Sequence, residues 1–470
     1  TPQSEDRLVY EDSDPLKFFS VSITEDERFM FLYGSGKGQG NSLAIRNLKD
    51  GEKNFTKIID AMDYQYWVIE NFDDKIILFT NKNAPNGKLV MYDAANPKSE
   101  MKDFIAEKEF PLDNISFVGG KFFLTYMKDV SHHVFAYDRD GKFLHNIDLP
   151  GLGTVSGFGG KMKDEETFYT FTSYNYPPTI FKYDIKNSRT ELFRKSEVKF
   201  EPKDFEVKQL FYPSKDGTKI PMFVMHKKGI ELNGKNPTIL YGYGGFNASM
   251  NPAFSPTIIA WMQMGGVYAV ANLRGGSEYG EKWHEAGMLL NKQNVFDDFI
   301  FAAKFLIEKK YTSSDYIAIN GVSNGGLLVG TVINQRPELF RVAIPEVGVM
   351  DMLRYEKFTI GWNWAPEYGS VKDSVHFENL LGYSPLHNIS EKINYPAVMI
   401  TTADHDDRVV PAHSFKYAAQ LQKKYKGDDP ILLRIETRSG HGASSVSKSI
   451  ELNADKFSFI FYVMGLKPKL

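Results

Sequence analysis

The chain has 470 residues, of which 42% are hydrophobic and 24% charged, and its formal net charge is −3 at pH 7. These values exclude wholesale disorder, and the near-neutral charge argues against a nucleic-acid partner bound through a broad basic surface. The absence of cysteine excludes disulfides and cysteine nucleophiles, and the absence of any apolar run of about 18 residues argues against a membrane-spanning helix.

The first 205 residues contain strand-like runs that recur at a fixed interval. Aromatic and β-branched runs alternate with turns rich in Gly, Asp and Asn, which is typical of short strands. Two separate markers share a spacing of 45 to 47 residues: Arg46, Tyr92, Tyr137 and Tyr183 form one, and Tyr33, Thr80, Tyr126 and Thr172 form the other. A repeat of about 40–50 residues is typical of β-propeller blades. We therefore predict about four blades over 1–205, with an irregular β-sandwich as the alternative.

Three patterns that suggest metal or phosphate binding are incomplete. The glycine-rich segment 34–40 lacks the Gly-Lys-Ser/Thr ending of a phosphate loop, and no amphipathic helix follows it. His132 and His133 have no third ligand nearby in the sequence, so we interpret them as blade residues. His284 begins a zinc-helix pattern, but position 288 is Met, so the second histidine is missing. We therefore predict no metal and no cofactor.

From residue 206 onward, strands alternate with helices. Apolar runs typical of buried parallel strands lie at 238–241, 267–271, 316–319, 342–344, 397–400 and 431–435. Helical patterns lie at 294–309, 324–335, 414–424 and 447–464. This alternation predicts an α/β domain over 206–470, with a mostly parallel sheet covered on both faces. Catalytic groups in such sheets lie at the carboxyl ends of the strands.

One serine stands where a nucleophile of such a domain is expected. The run 316–319 leads into Gly321-Val322-Ser323-Asn324-Gly325, and a helical pattern follows. This is the G-x-S-x-G pattern in the strand–turn–helix context of α/β-hydrolases, where small neighbours let the serine Oγ project clear of the sheet. The helix N-terminus adds free N–H groups and a positive potential. We predict that Ser323 is a nucleophile, with a structural turn as the alternative.

A serine nucleophile needs a histidine base and a carboxylate that orients the base. Two later strands end in such groups: the first in Asp404, Asp406 and Asp407, and the next in His441, which lies between two glycines. The order Ser, then Asp, then His is the order found in α/β-hydrolases. The pattern leaves the three aspartates open, and His405 is a competing base.

Six blocks of the sequence carry a resemblance to a known family. They lie at 241–247, 272–280, 323–326, 348–353, 404–411 and 440–442. Through these blocks the whole chain resembles the prolyl oligopeptidase family, serine peptidases in which a β-propeller caps an α/β-hydrolase domain. The resemblance selects Asp406 among the three aspartates and implies a triad of Ser323, Asp406 and His441. Val322 is a minor departure, since many members have glycine there.

The resemblance also implies the other roles at the site. Tyr243 and the backbone N–H of Asn324 would form the oxyanion hole. The residues that bind the substrate would be Phe246, Val349, Trp364, Tyr368, Arg408 and Val409. Trp364 would stack on the proline ring, and Arg408 would hydrogen-bond to the carbonyl beside proline. An aromatic pocket without charge suits this apolar ring.

The implied activity is hydrolysis of short peptides on the carboxyl side of proline through an acyl-enzyme, by a monomer without a cofactor. Three alternatives stay open: an oligopeptidase selective for basic residues, an acylaminoacyl or dipeptidyl peptidase, and a catalytically dead propeller–hydrolase scaffold. The compartment also stays open, because relatives occur in both cytoplasm and periplasm.

Two family features have no counterpart in the sequence. The family propeller has seven blades, and the family hydrolase domain includes a segment that precedes the propeller. The chain starts Thr1-Pro2-Gln3, with neither a Met nor a signal-like segment. We therefore expect 1–205 to be the C-terminal part of a seven-bladed propeller, 206–470 to be the catalytic domain, and the N-terminal part of the protein to be missing.

Overall fold

The structure is a computed structural model that describes residues 2–36, 38–51, 53–198 and 201–469. Thr1, at the start of the chain, and Lys37, within the glycine-rich segment 34–40, lie outside the described residues. The chain divides into two compact units, Thr1–Lys108 and Glu109–Leu470. This division does not coincide with the domain boundary that we place between 205 and 206, which stays a prediction.

The first part of the described chain forms four antiparallel sheets of four strands each. The first sheet contains β1 (Phe18–Ile23), β2 (Phe29–Ser35), β3 (Ser42–Asn47) and β4 (Thr56–Ile59), and the second contains β5 (Tyr66–Phe72), β6 (Lys75–Thr80), β7 (Lys88–Asp93) and β8 (Lys102–Ile105). The third contains β9 (Leu112–Val118), β10 (Lys121–Lys128), β11 (Ser131–Asp138) and β12 (Phe143–Ile147), and the fourth contains β13 (Thr154–Gly159), β14 (Glu166–Ser173), β15 (Tyr176–Asp184) and β16 (Arg189–Lys195). Strands pair in chain order within each sheet, as in propeller blades, so the prediction of about four blades is confirmed.

The two sequence markers fall at equivalent places in the four sheets. The marker that begins at Tyr33 lies in the second strand of each sheet, and the marker that begins at Arg46 lies in the third. These are the two central strands, and most of the marker side chains are buried. The repeat in the sequence therefore follows mostly buried positions on the two central strands of each sheet.

Within Thr1–Lys108, the first two sheets share an apolar cluster. Its fully buried members include Phe31, Leu43, Ile76 and Leu78. The rings of Tyr33 and Trp67, one from each sheet, have centroids 5.2 Å apart. Each sheet thus buries one of its faces against its neighbour, which is how repeated units of this kind gain stability.

Within Glu109–Leu470, the third and fourth sheets share an aromatic core. Phe123 of β10 stacks on Phe158 of β13 with ring centroids 4.7 Å apart, and Tyr183 meets Phe123 edge-on at 5.4 Å. The turn after β14 also packs on the following α/β part, because the rings of Tyr174 and Phe223 are 5.4 Å apart. These two sheets and the α/β part therefore belong to one compact unit.

The α/β part is built on one sheet of eight strands. They are β17 (Phe205–Pro213), β18 (Lys219–Lys227), β19 (Thr238–Tyr241), β20 (Val267–Ala271), β21 (Ile317–Val322), β22 (Val342–Glu346), β23 (Ala397–Ala403) and β24 (Ile431–Glu436). Their order is β17-β18-β20-β19-β21-β22-β23-β24, in which β17, β18 and β20 pair antiparallel and the other pairs are parallel. The predicted mostly parallel sheet is confirmed.

Eight α-helices accompany this sheet in the described residues: α1 (Pro256–Gln263), α2 (Glu281–Glu285), α3 (Gln293–Glu308), α4 (Asn324–Gln335), α5 (Ala365–Tyr368), α6 (Ser374–Tyr383), α7 (Ala412–Lys424) and α8 (Val446–Val463). Short 3₁₀ helices lie at Gln3–Glu5, Pro202–Asp204, Leu289–Asn291, Pro337–Leu339, Tyr355–Lys357 and Gly361–Trp364. Phe299 of α3, Leu328 of α4 and Tyr417 of α7 pack on one face of the sheet. Trp261 of α1 and Phe461 of α8 pack on the other face, so both faces are covered. Over the described ranges, none of these helices combines the length and the apolar character that crossing a bilayer requires.

We expect the substitution Phe123→Ala to lower the free energy of unfolding by about 3–5 kcal/mol, because it removes a fully buried ring and leaves a cavity between two sheets. Chemical denaturation followed by circular dichroism measures this loss. Phe143→Ala is the matched control, since Phe143 is 48% exposed and its loss should be much smaller. Equal losses in the two variants would contradict the packing role of Phe123.

Candidate active site

Ser323 lies in a sharp turn between β21 and α4. Its φ is 61° and its ψ is −115°, a conformation that is strained for a residue with a Cβ atom. The Ser323 N–H donates to the carbonyl of Glu346 at 2.8 Å. The Ser323 carbonyl in turn accepts the N–H groups of Gly326 and Leu327 at 2.9 and 3.1 Å. The surroundings therefore hold the strained turn in place, as they commonly do at functional sites.

Glycines let the backbone segments meet at this turn. A Cβ atom on Gly321 would lie 2.3 Å from the carbonyl oxygen of Gly325. One on Gly326 would lie 2.6 Å from the Cα atom of Gly348. Neither separation is possible for a real side chain, so β21, α4 and the segment after β22 can approach only without side chains at these positions. The glycines of the sequence pattern are thus required by packing.

His441 and Asp406 lie on loops that follow neighbouring strands. Asp406 follows β23 and His441 follows β24, so both lie at the carboxyl edge of the sheet, as does Ser323 after β21. The Nδ1 atom of His441 is 2.7 Å from Oδ2 of Asp406. The Asp406 side chain is fully buried, and its Oδ1 accepts the N–H groups of Arg408 and Val409 at 3.0 and 2.9 Å. A carboxylate held in this way favours a proton on Nδ1 of the ring and leaves Nε2 to act as a base.

The contacts distinguish between residues that the sequence pattern leaves open. Asp404 pairs with His405, at 2.7 Å between Oδ1 and Nδ1, and not with His441. The His405 side chain is 73% exposed, which suits a surface pair better than a general base. Asp407 is exposed as well. These contacts support Asp406 and His441, whose catalytic roles stay predictions.

The two residues predicted for the oxyanion hole are bonded to each other. Tyr243 lies two residues beyond β19, the strand beside β21. Its carbonyl accepts the side-chain Nδ2–H of Asn324 at 2.6 Å. Burial raises the pKa of Tyr243, although the charge of Arg408 lowers it in part. The phenol therefore keeps its proton at neutral pH and can donate a hydrogen bond, as can the N–H of Asn324 at the start of α4.

Three of the residues predicted to bind substrate form a row of aromatic rings. Phe246 meets Tyr368 edge-on with ring centroids 5.4 Å apart. Tyr355 continues the row, because it meets Tyr368 edge-on at 5.5 Å and stacks on Trp364 at 6.3 Å. The sequence motifs do not indicate Tyr355, which lies in a 3₁₀ helix outside the recognised blocks. Phe246 and Trp364 are partly exposed, whereas Tyr355 and Tyr368 are fully buried, so the first two rings are the ones that a small apolar group could reach.

The remaining predicted residues are placed differently. Val349 and Val409 are each 2% exposed and belong to the same core cluster as Tyr368. Arg408 is exposed, and its backbone N–H is bonded to Asp406, while its charge acts on Tyr243. Arg408 is thus the cation that lies beside the predicted oxyanion donor.

Sequence reasoning missed a buried ion network behind the aromatic row. Lys292 donates from Nζ to Oε1 of Glu367 at 3.1 Å, and Oε2 of Glu367 is 2.8 Å from Nε2 of His284. His284 stands in the sequence only as part of an incomplete zinc pattern. The one available signal for Glu367 is its position next to Tyr368, and it gives no indication of an ion pair.

The histidines that suggested metal binding have other partners. His132 is 3% exposed, and its Nδ1 lies 3.1 Å from the carbonyl of Val155 in the neighbouring sheet. His284 lies between two glutamates. In the part of the chain that the structure describes, no group of three or more His, Cys, Asp or Glu side chains is arranged to hold a metal ion.

Comparison with known families and relatives assigns both parts of the chain. A model of the N-terminal β-propeller domain of prolyl oligopeptidase matches residues 1–196, and a model of the prolyl oligopeptidase family matches residues 252–467. The chain is 49% identical to a prolyl endopeptidase from Elizabethkingia meningoseptica over 99% of its own length and 66% of the length of that relative. The chain thus spans just under two thirds of this curated relative.

Solved structures agree with this assignment. A structure from a study of two prolyl endopeptidases has a TM-score of 0.95 and 40% identity, and it covers 99% of this chain and 69% of the solved chain. Oligopeptidase B from Leishmania major has a TM-score of 0.91 but 25% identity, and the match covers 99% of this chain and 68% of the solved one. The resemblance seen in the sequence is confirmed: the chain belongs to the prolyl oligopeptidase family.

Proposed function

We propose that the protein is a serine peptidase that hydrolyses short peptides on the carboxyl side of proline through an acyl-enzyme. The observation that carries this proposal is the 2.7 Å hydrogen bond between His441 and the buried Asp406, at the same sheet edge as the strained turn of Ser323. An oriented base at the same sheet edge as a serine held in a strained turn supports acyl transfer, which requires these two groups to meet.

The reaction follows from these positions. Nε2 of His441 accepts the Ser323 proton while Oγ attacks the carbonyl carbon of the proline residue. The hydroxyl of Tyr243 and the N–H of Asn324 donate to the oxyanion, and one such donor is worth about 3–4 kcal/mol. His441 then gives its proton to the leaving amine, and the acyl-enzyme forms. Water hydrolyses this ester with His441 again as the base, while Asp406 keeps the ring in one tautomer.

The aromatic row supports selectivity for proline. Proline has an apolar ring, and we propose that it packs on Phe246, Trp364, Tyr368 and Val349. Val349 and Tyr368 are buried members of the same core cluster. We propose that Arg408 binds the substrate carbonyl beside proline and that Val409 contributes to the same pocket. Two relatives named prolyl endopeptidase are 49% and 48% identical to this chain over 99% of its length.

An oligopeptidase selective for basic residues is the nearest alternative. Its pocket would need a carboxylate that is free to pair with Arg or Lys. Glu367 lies next to Tyr368, but its two oxygens already bind Lys292 and His284. The identity to oligopeptidase B from Leishmania major is 25%, whereas that to the solved prolyl endopeptidase is 40%, and this difference also favours selectivity for proline.

We further propose the domain assignment that the sequence suggests, with blades over 1–205 and the catalytic domain over 206–470. The predicted partners are short proline-containing peptides, without nucleic acid, and the predicted state is a monomer. A catalytically dead scaffold of the same fold would share all of these features except reactivity. Labelling by a fluorophosphonate probe separates the two, because only an activated serine reacts with it.

We expect Ser323→Ala to lower kcat by roughly a million-fold, as loss of the nucleophile does in serine peptidases. The measurement is turnover of a reporter peptide with proline before the scissile bond, together with fluorophosphonate labelling. Ser374→Ala, at an exposed serine of α6, is the matched control and should behave like the wild type. If Ser323→Ala keeps a tenth of wild-type turnover, Ser323 is not the nucleophile.

Selectivity is tested by a panel of reporters with Pro, Ala, Phe, Lys or Arg before the scissile bond. We expect the highest kcat/KM for Pro, because the aromatic row offers ring contacts and no unpaired charge. Faster cleavage after Arg than after Pro would contradict the proposed selectivity and favour the basic-residue oligopeptidase.

A further inference from the structure

The loop that carries Tyr243 and Phe246 has an unusual backbone. Three of its residues have positive φ: Gly244 at 64°, Phe246 at 58° and Asn247 at 54°. Such values are unfavourable for the two residues that carry a Cβ atom. The directions of the Tyr243 and Phe246 side chains both depend on this conformation, so something has to maintain it.

The buried side chain of Lys292 binds the backbone of this loop. It is 1% exposed, and its Nζ donates to the carbonyl of Gly244 at 2.9 Å and to Oε1 of Glu367 at 3.1 Å. Burial lowers the pKa of Lys292, while the carboxylate of Glu367 acts to raise it. A buried ammonium group is tolerated when it is paired and hydrogen-bonded in this way. One of its two bonds is made to the strained loop itself.

Glu367 makes a second contact with the loop. Its carboxylate binds Lys292 and His284. Burial acts to raise the pKa of Glu367, but Lys292, His284 and, more weakly, the backbone N–H of Phe246 lower it, so this N–H lies close to the carboxylate. It is 4% exposed and lies directly before Tyr368. Glu367 thus connects the backbone of one pocket residue, Phe246, with the helix that carries another, Tyr368.

Glu281 makes the third contact. Its Oε1 lies 2.9 Å from Nδ1 of His284, and its Oε2 accepts from Nδ2 of Asn247 at 3.4 Å. The four side chains of this network, Lys292, His284, Glu367 and Glu281, balance in charge when the histidine is protonated. Hydrogen bonds join the network to the Gly244 carbonyl and the Asn247 side chain, and the Glu367 carboxylate lies close to the Phe246 N–H.

A fourth bond holds the same loop from the catalytic side. Asn324 donates from Nδ2 to the carbonyl of Tyr243 at 2.6 Å, and its Oδ1 accepts from the hydroxyl of Tyr368 at 3.0 Å. The loop therefore lies between the start of α4 and the ion network. Stability alone does not explain the network, because buried ion pairs are often replaceable by apolar residues without loss.

We propose that Lys292, Glu367 and His284 are positioning residues that fix the loop from Tyr243 to Asn247, so that the Tyr243 hydroxyl and the Phe246 ring are in place before substrate binds. This inference rests on the proposed function. Donors held in advance of the reaction need no reorganisation when the oxyanion forms. Because one network holds both side chains, its loss weakens the oxyanion donor and the proline pocket together.

The test is the variant Glu367→Gln in the intact protein. We expect kcat for a proline reporter to fall by about 10²-fold, the loss typical of a small misplacement of reacting groups. We also expect the ratio of kcat/KM between Pro and Ala reporters to decrease, because the Phe246 ring is displaced too. The milder variant Glu281→Gln, at the far end of the network, should show a smaller decrease in the same two quantities.

Two comparisons separate positioning from general stability. Phe461→Ala removes a buried ring of α8 on the sheet face that α1 and α8 cover, where its centroid lies 5.1 Å from that of Trp261. It should lower the unfolding temperature at least as much as Glu367→Gln does but leave turnover within about twofold. In addition, Tyr243→Phe combined with Glu367→Gln should lower kcat by less than the product of the two single losses, because both changes remove the same donor.

Three results would overturn the inference: equal losses of turnover in Phe461→Ala and Glu367→Gln, full additivity with Tyr243→Phe, or wild-type turnover in Glu281→Gln. Failure of the proposed function looks different, because the wild type itself would then neither cleave the reporters nor react with a fluorophosphonate.

The same network predicts a dependence of stability on pH. Burial tends to lower the pKa of His284, but hydrogen bonds to Glu281 and Glu367 outweigh burial and raise it to about 9. The folded value lies above the ordinary value of 6.5, so the contribution of His284 is complete below about pH 6.5 and is lost as the pH rises through 9. The charged groups around the ring are these two carboxylates and, beyond Glu367, the ammonium of Lys292.

We therefore expect the unfolding temperature of the wild type to exceed that of His284→Gln by an amount that shrinks between pH 6.5 and pH 10. Thermal unfolding across this range measures the difference. His405→Gln is the control, because the exposed His405 side chain contributes little to stability. A constant difference for His284→Gln would contradict the assigned protonation.

Discussion

The close approach of backbone segments around Ser323 is the constraint on which the candidate site depends. Helix α4 begins directly against β21 and the segment after β22, which is possible only because Gly321 and Gly326 carry no side chain. The approach requires a positive φ at Ser323, and hydrogen bonds from the neighbouring backbone offset that strain. It also brings the first free N–H groups of α4 beside the serine. The positions of the proposed nucleophile and of one proposed oxyanion donor therefore have a single cause.

The loop from Tyr243 to Asn247 is bonded to the turn at Ser323 through Asn324. This residue opens α4, and its side chain binds both the Tyr243 carbonyl and the Tyr368 hydroxyl. The start of the helix, the loop after β19 and helix α5 thus form one hydrogen-bonded group. Since Tyr243, the proposed oxyanion donor, belongs to the loop and Tyr368, a proposed pocket residue, belongs to α5, the two proposed functions of transition-state binding and substrate selection share their support.

Local patterns in the sequence were sufficient for most of the fold. Markers 45 to 47 residues apart fell on the central strands of each sheet, because those strands carry the buried side chains that repeat. The turn at Ser323 was also predictable, since its glycines lie close together in the sequence, at 321, 325 and 326. Element ends were less certain: β21 continues to Val322, three residues beyond the predicted run, because Asn320, Gly321 and Val322 still pair with β22.

Groups that come together from distant segments could not be found in this way. The pattern left three aspartates open, because the choice depends on which carboxylate faces His441 on another loop, and the family resemblance was needed to select Asp406. Tyr355 and Lys292 gave no signal, and the one signal for Glu367, its position next to Tyr368, did not indicate an ion pair. A buried ion pair has no periodicity, and its partners here are 75 residues apart in the chain.

The charge balance of the network also limits how the selectivity of this site can evolve. A carboxylate already lies one residue from the pocket wall, at Glu367, but Lys292 and His284 occupy it. Replacing Lys292 alone would leave a buried carboxylate without its partner and would free the Gly244 carbonyl that Lys292 binds. A variant that binds a cationic residue in this pocket therefore has to change several positions at once. With Lys292 alone replaced, the protein would lose the proposed activity before it gained a new selectivity. Selectivities that differ by few contacts are in this way separated by an epistatic barrier.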